Sequence, residues 1–206
     1  INIDIMNFLS IDCSMDIGSL FIKIKNKTFS KNLQSDKSNY DLLMKQILDF
    51  FKEINLKLDD ISNIFVNQGP GNFSGLRGSL AIAKGVSLSK NLNLFGYNTF
   101  ILPCTRFFNK QDYIYSLIKF REKYFMKKFD KNLNSVSQIE KVAVDEIIKK
   151  YDNKFKVISK NEIKHFDEKI LKLNNLSIID LDYNELEFLR LKGLLDKELI
   201  KPLYLS

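Results

Sequence analysis

Histidine is almost absent from this chain: His165 is the only one in 206 residues. A two-histidine metal motif such as HxxxH is therefore impossible, and any Ser/His/Asp or Cys/His arrangement would rest on that one residue. It sits in the polar run "NEIKHFDEK", where a surface position without chemistry is expected. Cysteine is nearly as scarce. Cys13 and Cys104 form no CxxC pair, which argues against a disulfide framework or a zinc site and fits a reducing cytoplasm. No stretch approaches the ~18 apolar residues that a membrane span needs, and the opening "INIDIMNFLSID" lacks a cationic n-region. A soluble, untargeted, cytoplasmic chain with no membrane partner is expected. Its first residue is Ile, which leaves the true start open.

Arginine is also rare. Of 32 basic residues only Arg77, Arg106, Arg121 and Arg190 are arginine, so the net charge of +7 is carried by scattered lysines. Bidentate recognition of bases and phosphates favours Arg, so this charge does not by itself point to a nucleic-acid-binding face. Hydrophobic residues at 45% and charged residues at 28% are those of a globular protein. A chain of this length buries roughly 70% of its unfolded surface.

Five of the eight glycines lie in "NQGPGNFSGLRGSLAIAKG", from Asn67 to Gly85. A Walker A loop needs GxxxxGK[ST], and no glycine here precedes Lys-Ser or Lys-Thr. The dinucleotide fingerprint GxGxxG fails as well: Ser74 stands at the third glycine position, and no Asp or Glu occurs between Ile61 and Gln111 to hold a ribose. That acid-free stretch carries Arg77, Lys84, Lys90, Arg106 and Lys110. A helix N-terminus there could take an anion through free N–H groups, but no nearby carboxylate would hold Mg²⁺. Gly75, Gly78, Ser79, Ala81, Ala83 and Gly85 are small rather than helix-favouring, apart from the alanines, which predicts close approach by another backbone. Asp12 and Asp16 could pair on a metal at a strand end, although Asp16 suits a turn better.

Periodicity supplies the frame. "NFLSID" and "SLFIKIK" read as a hairpin, with Leu20, Ile22 and Ile24 on one face. "NYDLLMKQILDFFKEI" reads as a helix over 39–54 with Ser38 or Asn39 as N-cap. Its stripe of Tyr40, Leu43, Met44, Ile47, Leu48 and Phe51 is widened by Leu42, Phe50 and Ile54, which suits either deep burial or one face on the core and another on a partner. "NIFVN" is a strand ending at the glycine loop, the small-residue helix runs from about Ser74 to Lys90, and "LNLFGY" is the next strand. A short helix surrounds Pro103. Strands "YIYSLIKF", "KYFMKKF" and "FKVIS" follow, with helices near "VDEIIKKY" and "YNELEFLRLKGLL". Two α/β lobes with mixed sheets flanked by helices are expected, spanning 1–105 and 106–206.

Three regions resemble the TsaB (YeaZ) family of the bacterial tRNA threonylcarbamoyladenosine machinery. "FLSIDCSMDIGSL" is similar to the family's opening "ILAIDTS" strand and hairpin. "GPGNFSGLRGSLAIAKG" is similar to the hallmark "GPGSFTGxRxGxAxAKG" at Gly69, Pro70, Gly71, Phe73, Gly75, Arg77, Ala81, Ala83, Lys84 and Gly85. "GYNTF" and "KPLYLS" resemble "GVSTL" and the closing "PxYLR". Departures fall at "SNY" from Ser38, where the family has a His; at "KFR" from Lys119, for "DAR"; at Ser79, with Gly78 one place early; and at Ser206, for the closing Arg.

The resemblance implies a two-lobed actin-like ATPase (ASKHA, ribonuclease H-like) fold and a non-catalytic subunit. Such a subunit pairs with a TsaD homologue, is joined by a TsaE-type ATPase, meets tRNA through the complex and binds no cofactor by itself. A nucleotide at the complex interface and homodimerisation of the isolated chain are open alternatives. The helix pair would supply the interface, giving Leu42, Leu43, Ile47, Phe50, Leu76, Leu80 and Lys84 as candidate contact residues. Spacing alone does not say which of these leucines faces outward. The competing expectation is an active ASKHA-type ATPase or kinase that binds nucleotide between its lobes.

Overall fold

The computed structural model describes residues 6–15, 17–33 and 42–205. The chain divides into two units, one of Ile1–Thr99 with Leu186–Ser206 and one of Phe100–Glu185. This differs from two consecutive lobes meeting near 105, because the segment after Leu186 returns to the first unit.

The first unit is built on strands β1 (Phe8–Asp12), β2 (Ser19–Ile24), β3 (Lys27–Asn32), β4 (Asn63–Asn67) and β5 (Asn93–Tyr97), in the order β3-β2-β1-β4-β5. β1 pairs antiparallel with β2, β2 antiparallel with β3, and the β1–β4 and β4–β5 pairs are parallel. Strand alternation sends Leu9 and Ile11 to one face of β1 and Phe8 and Ser10 to the other. On the first face they join Leu20, Ile22, Ile64 and Val66 beneath helices α1 (Leu43–Glu53) and α2 (Phe73–Lys90). On the second, Phe8 meets Phe65 edge-on at 4.8 Å, and Phe65 stacks on Phe95 at 5.4 Å. The parallel strands need crossover connections, which α1 and α2 provide.

α2 starts at the Asn72 N-cap, whose side chain accepts from the Gly75 amide at 3.2 Å, and stops at Asn91 in the left-handed conformation. On α1, Leu43, Ile47, Phe50 and Phe51 are buried while Leu42 and Leu48 are 49% and 45% exposed. Phe50 thus belongs to the core set and Leu48 to the outer face, the reverse of the assignment the stripe suggested. The expected caps Ser38 and Asn39, and Tyr40, lie outside the described residues, as do Asp16 and Ser206.

The second unit repeats the plan. Its strands are β6 (Tyr113–Phe120), β7 (Lys123–Asp130), β8 (Glu140–Val142), β9 (Lys156–Ser159) and β10 (Leu176–Ile179), ordered β10-β9-β6-β7-β8. β6–β7 and β7–β8 are antiparallel, and β6–β9 and β9–β10 parallel. Read from the hairpin edge, this is the order of the first sheet. Helices α3 (Val144–Lys150) and α4 (Glu168–Leu171) contribute Ile147 and Ile170 to a core with Tyr115, Leu117, Tyr124 and Met126. Lys156 is fully buried, and its ammonium donates to the carbonyls of Tyr151, Asp152 and Lys154 at 2.7, 2.8 and 2.7 Å. It thereby satisfies carbonyls just past the end of α3. Helix α5 (Glu185–Leu191) opens the returning segment and buries Leu186 and Leu189.

β3, β8, α4 and β10 have no counterpart in the sequence reading. All are short, and the polar alternation of "KTFSKN" hides a strand at the sheet edge.

Candidate partner face and the glycine loop

The ends of β1, β4 and β5 carry a buried polar network. Asp12 Oδ1 accepts from the Ser14 amide at 3.0 Å and its hydroxyl at 2.7 Å; Oδ2 accepts from Asn67 Nδ2 at 3.0 Å and the Tyr97 hydroxyl at 3.3 Å. Asn67 Oδ1 in turn accepts from the Gly69 amide at 2.8 Å and lies 3.2 Å from the Thr99 hydroxyl, which also reaches the Pro70 carbonyl at 2.9 Å. These four donors fill the lone-pair directions of the Asp12 carboxylate, so it serves to fix the loop. Asp16, the suggested metal partner of Asp12, lies outside the described residues. Among the described residues no three His, Cys, Asp or Glu side chains gather around a metal-sized space.

Gly69 and Gly71 are each matched to a piece of this chain. A Cβ on Gly71 would lie 2.0 Å from the Ser14 carbonyl oxygen, which accepts from the Asn72 amide at 2.6 Å. Gly69, at φ +97°, would place a Cβ 2.6 Å from Leu76 and 3.0 Å from the Leu203 carbonyl. Beyond the loop, Gly96 faces the Gln68 side chain, where a Cβ would sit 2.1 Å from Oε1. Ser14 and Leu203 thus take up the space beside Gly71 and Gly69, and the expectation of a packing loop fits this geometry.

The carboxyl-terminal segment closes over the loop. Asp196 exchanges both backbone bonds with Gly96 at 2.8 and 2.9 Å. Gln68 Nε2 donates to the Lys201 carbonyl at 3.0 Å, and the Leu203 amide donates to the Gln68 carbonyl at 2.7 Å. The Tyr204 hydroxyl accepts from Arg77 Nε at 3.1 Å, and its ring lies 5.3 Å from Phe73. Arg77 stacks over Phe73 with its guanidinium carbon 4.2 Å from the ring centre.

Of the seven candidate contact residues, Leu43, Ile47, Phe50, Leu76 and Leu80 are buried in the first unit, so they hold the core and present no patch. Leu42 and Lys84 are exposed. The exposed positions of α2 instead include a stripe of Phe73, Arg77, Ala81, Lys84, Gly85 and Leu88, the last 84% exposed. Sequence reasoning missed Leu88 and the part played by Tyr204; the period from Phe73 through Arg77, Ala81 and Gly85 was the available signal. His165, expected at the surface, is half-buried at the end of the 3₁₀ turn Lys160–His165.

Neither cysteine suits nucleophilic chemistry. Burial, aided by the Asp12 charge, pushes the Cys13 thiol far above its ordinary pKa despite a hydrogen bond with Ser79; burial pushes Cys104 up to about 12. No helix among the described residues is long and apolar enough to cross a membrane.

The family model of TsaD, the tRNA N6-adenosine threonylcarbamoyltransferase, matches residues 35–112, the stretch that contains α1, the glycine loop and α2. The TsaB protein of Buchnera aphidicola subsp. Baizongia pistaciae is 33% identical over 49% of this chain and 46% of its own length. That of Buchnera aphidicola subsp. Acyrthosiphon pisum is 22% identical over 73% of each. The chain is a homologue of the TsaB (YeaZ) proteins. It aligns with less than half the length of the first of these TsaB relatives. YeaZ from Pseudomonas aeruginosa matches the fold at TM-score 0.68 and 15% identity over 97% of this chain and 100% of its own. A second Pseudomonas aeruginosa structure, described as similar to peptidase YeaZ, reaches 0.72 at 13% identity over 98% and 100%. The duplicated α/β plan is therefore that of YeaZ.

Proposed function

We propose that this chain is a non-catalytic subunit in tRNA threonylcarbamoyladenosine biosynthesis. It binds a TsaD-type transferase through the outer faces of α1 and α2, and supports threonylcarbamoylation of the adenosine 3′ of the anticodon. A TsaE-type ATPase joins the complex, and tRNA is met through it. One observation carries this reading: the close approaches of Gly69 and Gly71 in the loop are taken by Leu203 and Ser14, while α2 keeps an outward face unrelated to its core contacts. A loop filled by its own chain suits a scaffold better than an ATPase. The names of the TsaB relatives support the same pathway.

The test is co-purification with the TsaD homologue of the same organism, with nucleoside analysis of tRNA after depletion. Complex formation and loss of threonylcarbamoyladenosine are expected, with no Mg²⁺-dependent ATP turnover by the chain alone. Leu42→Asp and Leu88→Asp should weaken the complex while the melting temperature holds. A chain that turns over ATP alone, with activity lost in Asp12→Asn, would replace this reading with that of an active ATPase.

A further inference from the structure

The outer face of α2 holds two cations two turns apart. Arg77 and Lys84 are separated by seven residues, which on a helix is about 10.5 Å of rise with only ~20° of angular offset. Neither takes part in an ion pair among the described residues, whereas Lys90 on the same helix meets Asp59 at 2.8 Å. Arg77 is nonetheless held in place: its guanidinium lies on Phe73 at 4.2 Å and its Nε donates to Tyr204 at 3.1 Å, leaving the terminal nitrogens unclaimed by either contact. The first turn of α2 carries no acidic residue, so the positive end of the helix is also uncompensated.

We propose that Arg77 and Lys84 form a carboxylate-reading stripe that receives a helix of the partner protein bearing two acidic side chains seven residues apart. The inference rests on the reading of α2 as a partner face. A fixed, stacked guanidinium suits a carboxylate because two parallel N–H bonds can reach both oxygens without further ordering. Three features point to a protein helix rather than an RNA backbone. Leu88, 84% exposed, offers an apolar contact at the far end of the stripe. Ala81 is exposed between the cations, and at Gly85 a Cβ would meet nothing within 4 Å, so the seam is low enough for a second helix to lie close. Phe73, 44% exposed, supplies the apolar contact at the near end. A second copy of this chain would bring the same two cations to the seam, a like-charge match that disfavours it. Tyr204 is a positioning residue: it acts through Arg77.

Affinity for the TsaD homologue, measured by calorimetry at low and physiological salt, tests this. Arg77→Glu with Lys84→Glu should weaken binding by more than about 100-fold, and Arg77→Lys by about tenfold. Tyr204→Phe should cost several-fold while leaving the melting temperature unchanged. The double Gln variant should bind weakly and lose most of its salt dependence. Compensating Glu→Lys changes on the partner helix should restore the double Glu variant. Wild-type affinity in that variant overturns the stripe. So does loss of tRNA binding with protein binding intact, or salt-dependent self-association abolished by the same changes. If the wild-type chain fails to bind the homologue at all, the partner reading falls. The stripe is then judged on a synthetic helix with Glu at i and i+7 against its Lys counterpart, where equal affinity overturns it.

Discussion

The two units share one strand order and differ in what they hang on it. After β4 the first unit runs through the glycine loop into an α2 of 18 residues. At the equivalent place after β9 the second unit has only the 3₁₀ turn Lys160–His165 and the four-residue α4. The helix before that strand shrinks likewise, from 11 residues in α1 to 7 in α3. A short helix can cover its sheet and little more. An 18-residue helix has one face for Leu76, Leu80 and Ala83 and a second to spare. Topology alone therefore does not create a spare helix face; the length of one connection does.

The sharpest break of this comparison is within α2 itself. Leu80→Asp puts an unpaired charge among core side chains and should cost more than about 4 kcal/mol, abolishing cooperative folding in a denaturant titration. Leu88→Asp, on the same helix, should change stability by less than about 0.5 kcal/mol. Equal effects at the two positions would mean α2 has no spare face.

The loop gives the next largest effect. Gly71→Ala drives a Cβ into the Ser14 carbonyl, which belongs to backbone and cannot swing aside, and a loss of about 3–4 kcal/mol is expected from thermal unfolding. Gly85→Ala is the control, with open space at its Cβ; relief of the glycine penalty should stabilise the chain by up to about 1 kcal/mol. In the second unit the counterpart is a side chain. Lys156→Met leaves three carbonyls without their ammonium donor and should cost about 2–3 kcal/mol, read as a lower midpoint in urea. No change there would show that water replaces the lysine at no cost.

Much of this was legible in the sequence, for reasons tied to period. β1, β4, β6 and β7 announce themselves because buried strands are rich in Phe, Ile and Val, and α2 because small residues recur within a bounded run. The packing role of the glycine loop followed from elimination, since no Lys-Ser pair or ribose-binding acid accompanies it. What stayed hidden was long-range. Nothing local in "KPLYLS" says that Leu203 and Tyr204 close on Gln68 and Arg77. The side of α1 on which Phe50 and Leu48 fall depends on where the sheet lies, and a stripe of nine apolar residues wraps too far round a helix to fix it. Leu43, Ile47 and Phe50 were assigned to the partner face for that reason and are buried; on α2, Leu76 and Leu80 are buried as well.

Each unit also contains one cysteine, which reports its opening separately. Cys13 follows the central strand β1 beside the Asp12 network, and a Cβ on Gly18 would lie 3.3 Å from its sulfur. Cys104 sits in the 3₁₀ helix Leu102–Phe107 and donates to the Phe100 carbonyl at 3.2 Å. Both are fully buried and both thiols are pushed upward by desolvation, so at pH 7 almost no thiolate exists in the folded chain. Iodoacetamide should leave the native protein unmodified over hours. In rising urea the two should react in order. Releasing Cys104 requires only a short 3₁₀ turn to open, whereas releasing Cys13 requires breaking the bonds of Asp12 with Ser14, Asn67 and Tyr97. Pulsed alkylation read by peptide mass spectrometry should therefore find Cys104 modified at a lower urea concentration than Cys13. Simultaneous modification would mean that the two units open as one; Cys13 reacting first would mean that the polar network, for all its bonds, is the weaker clasp.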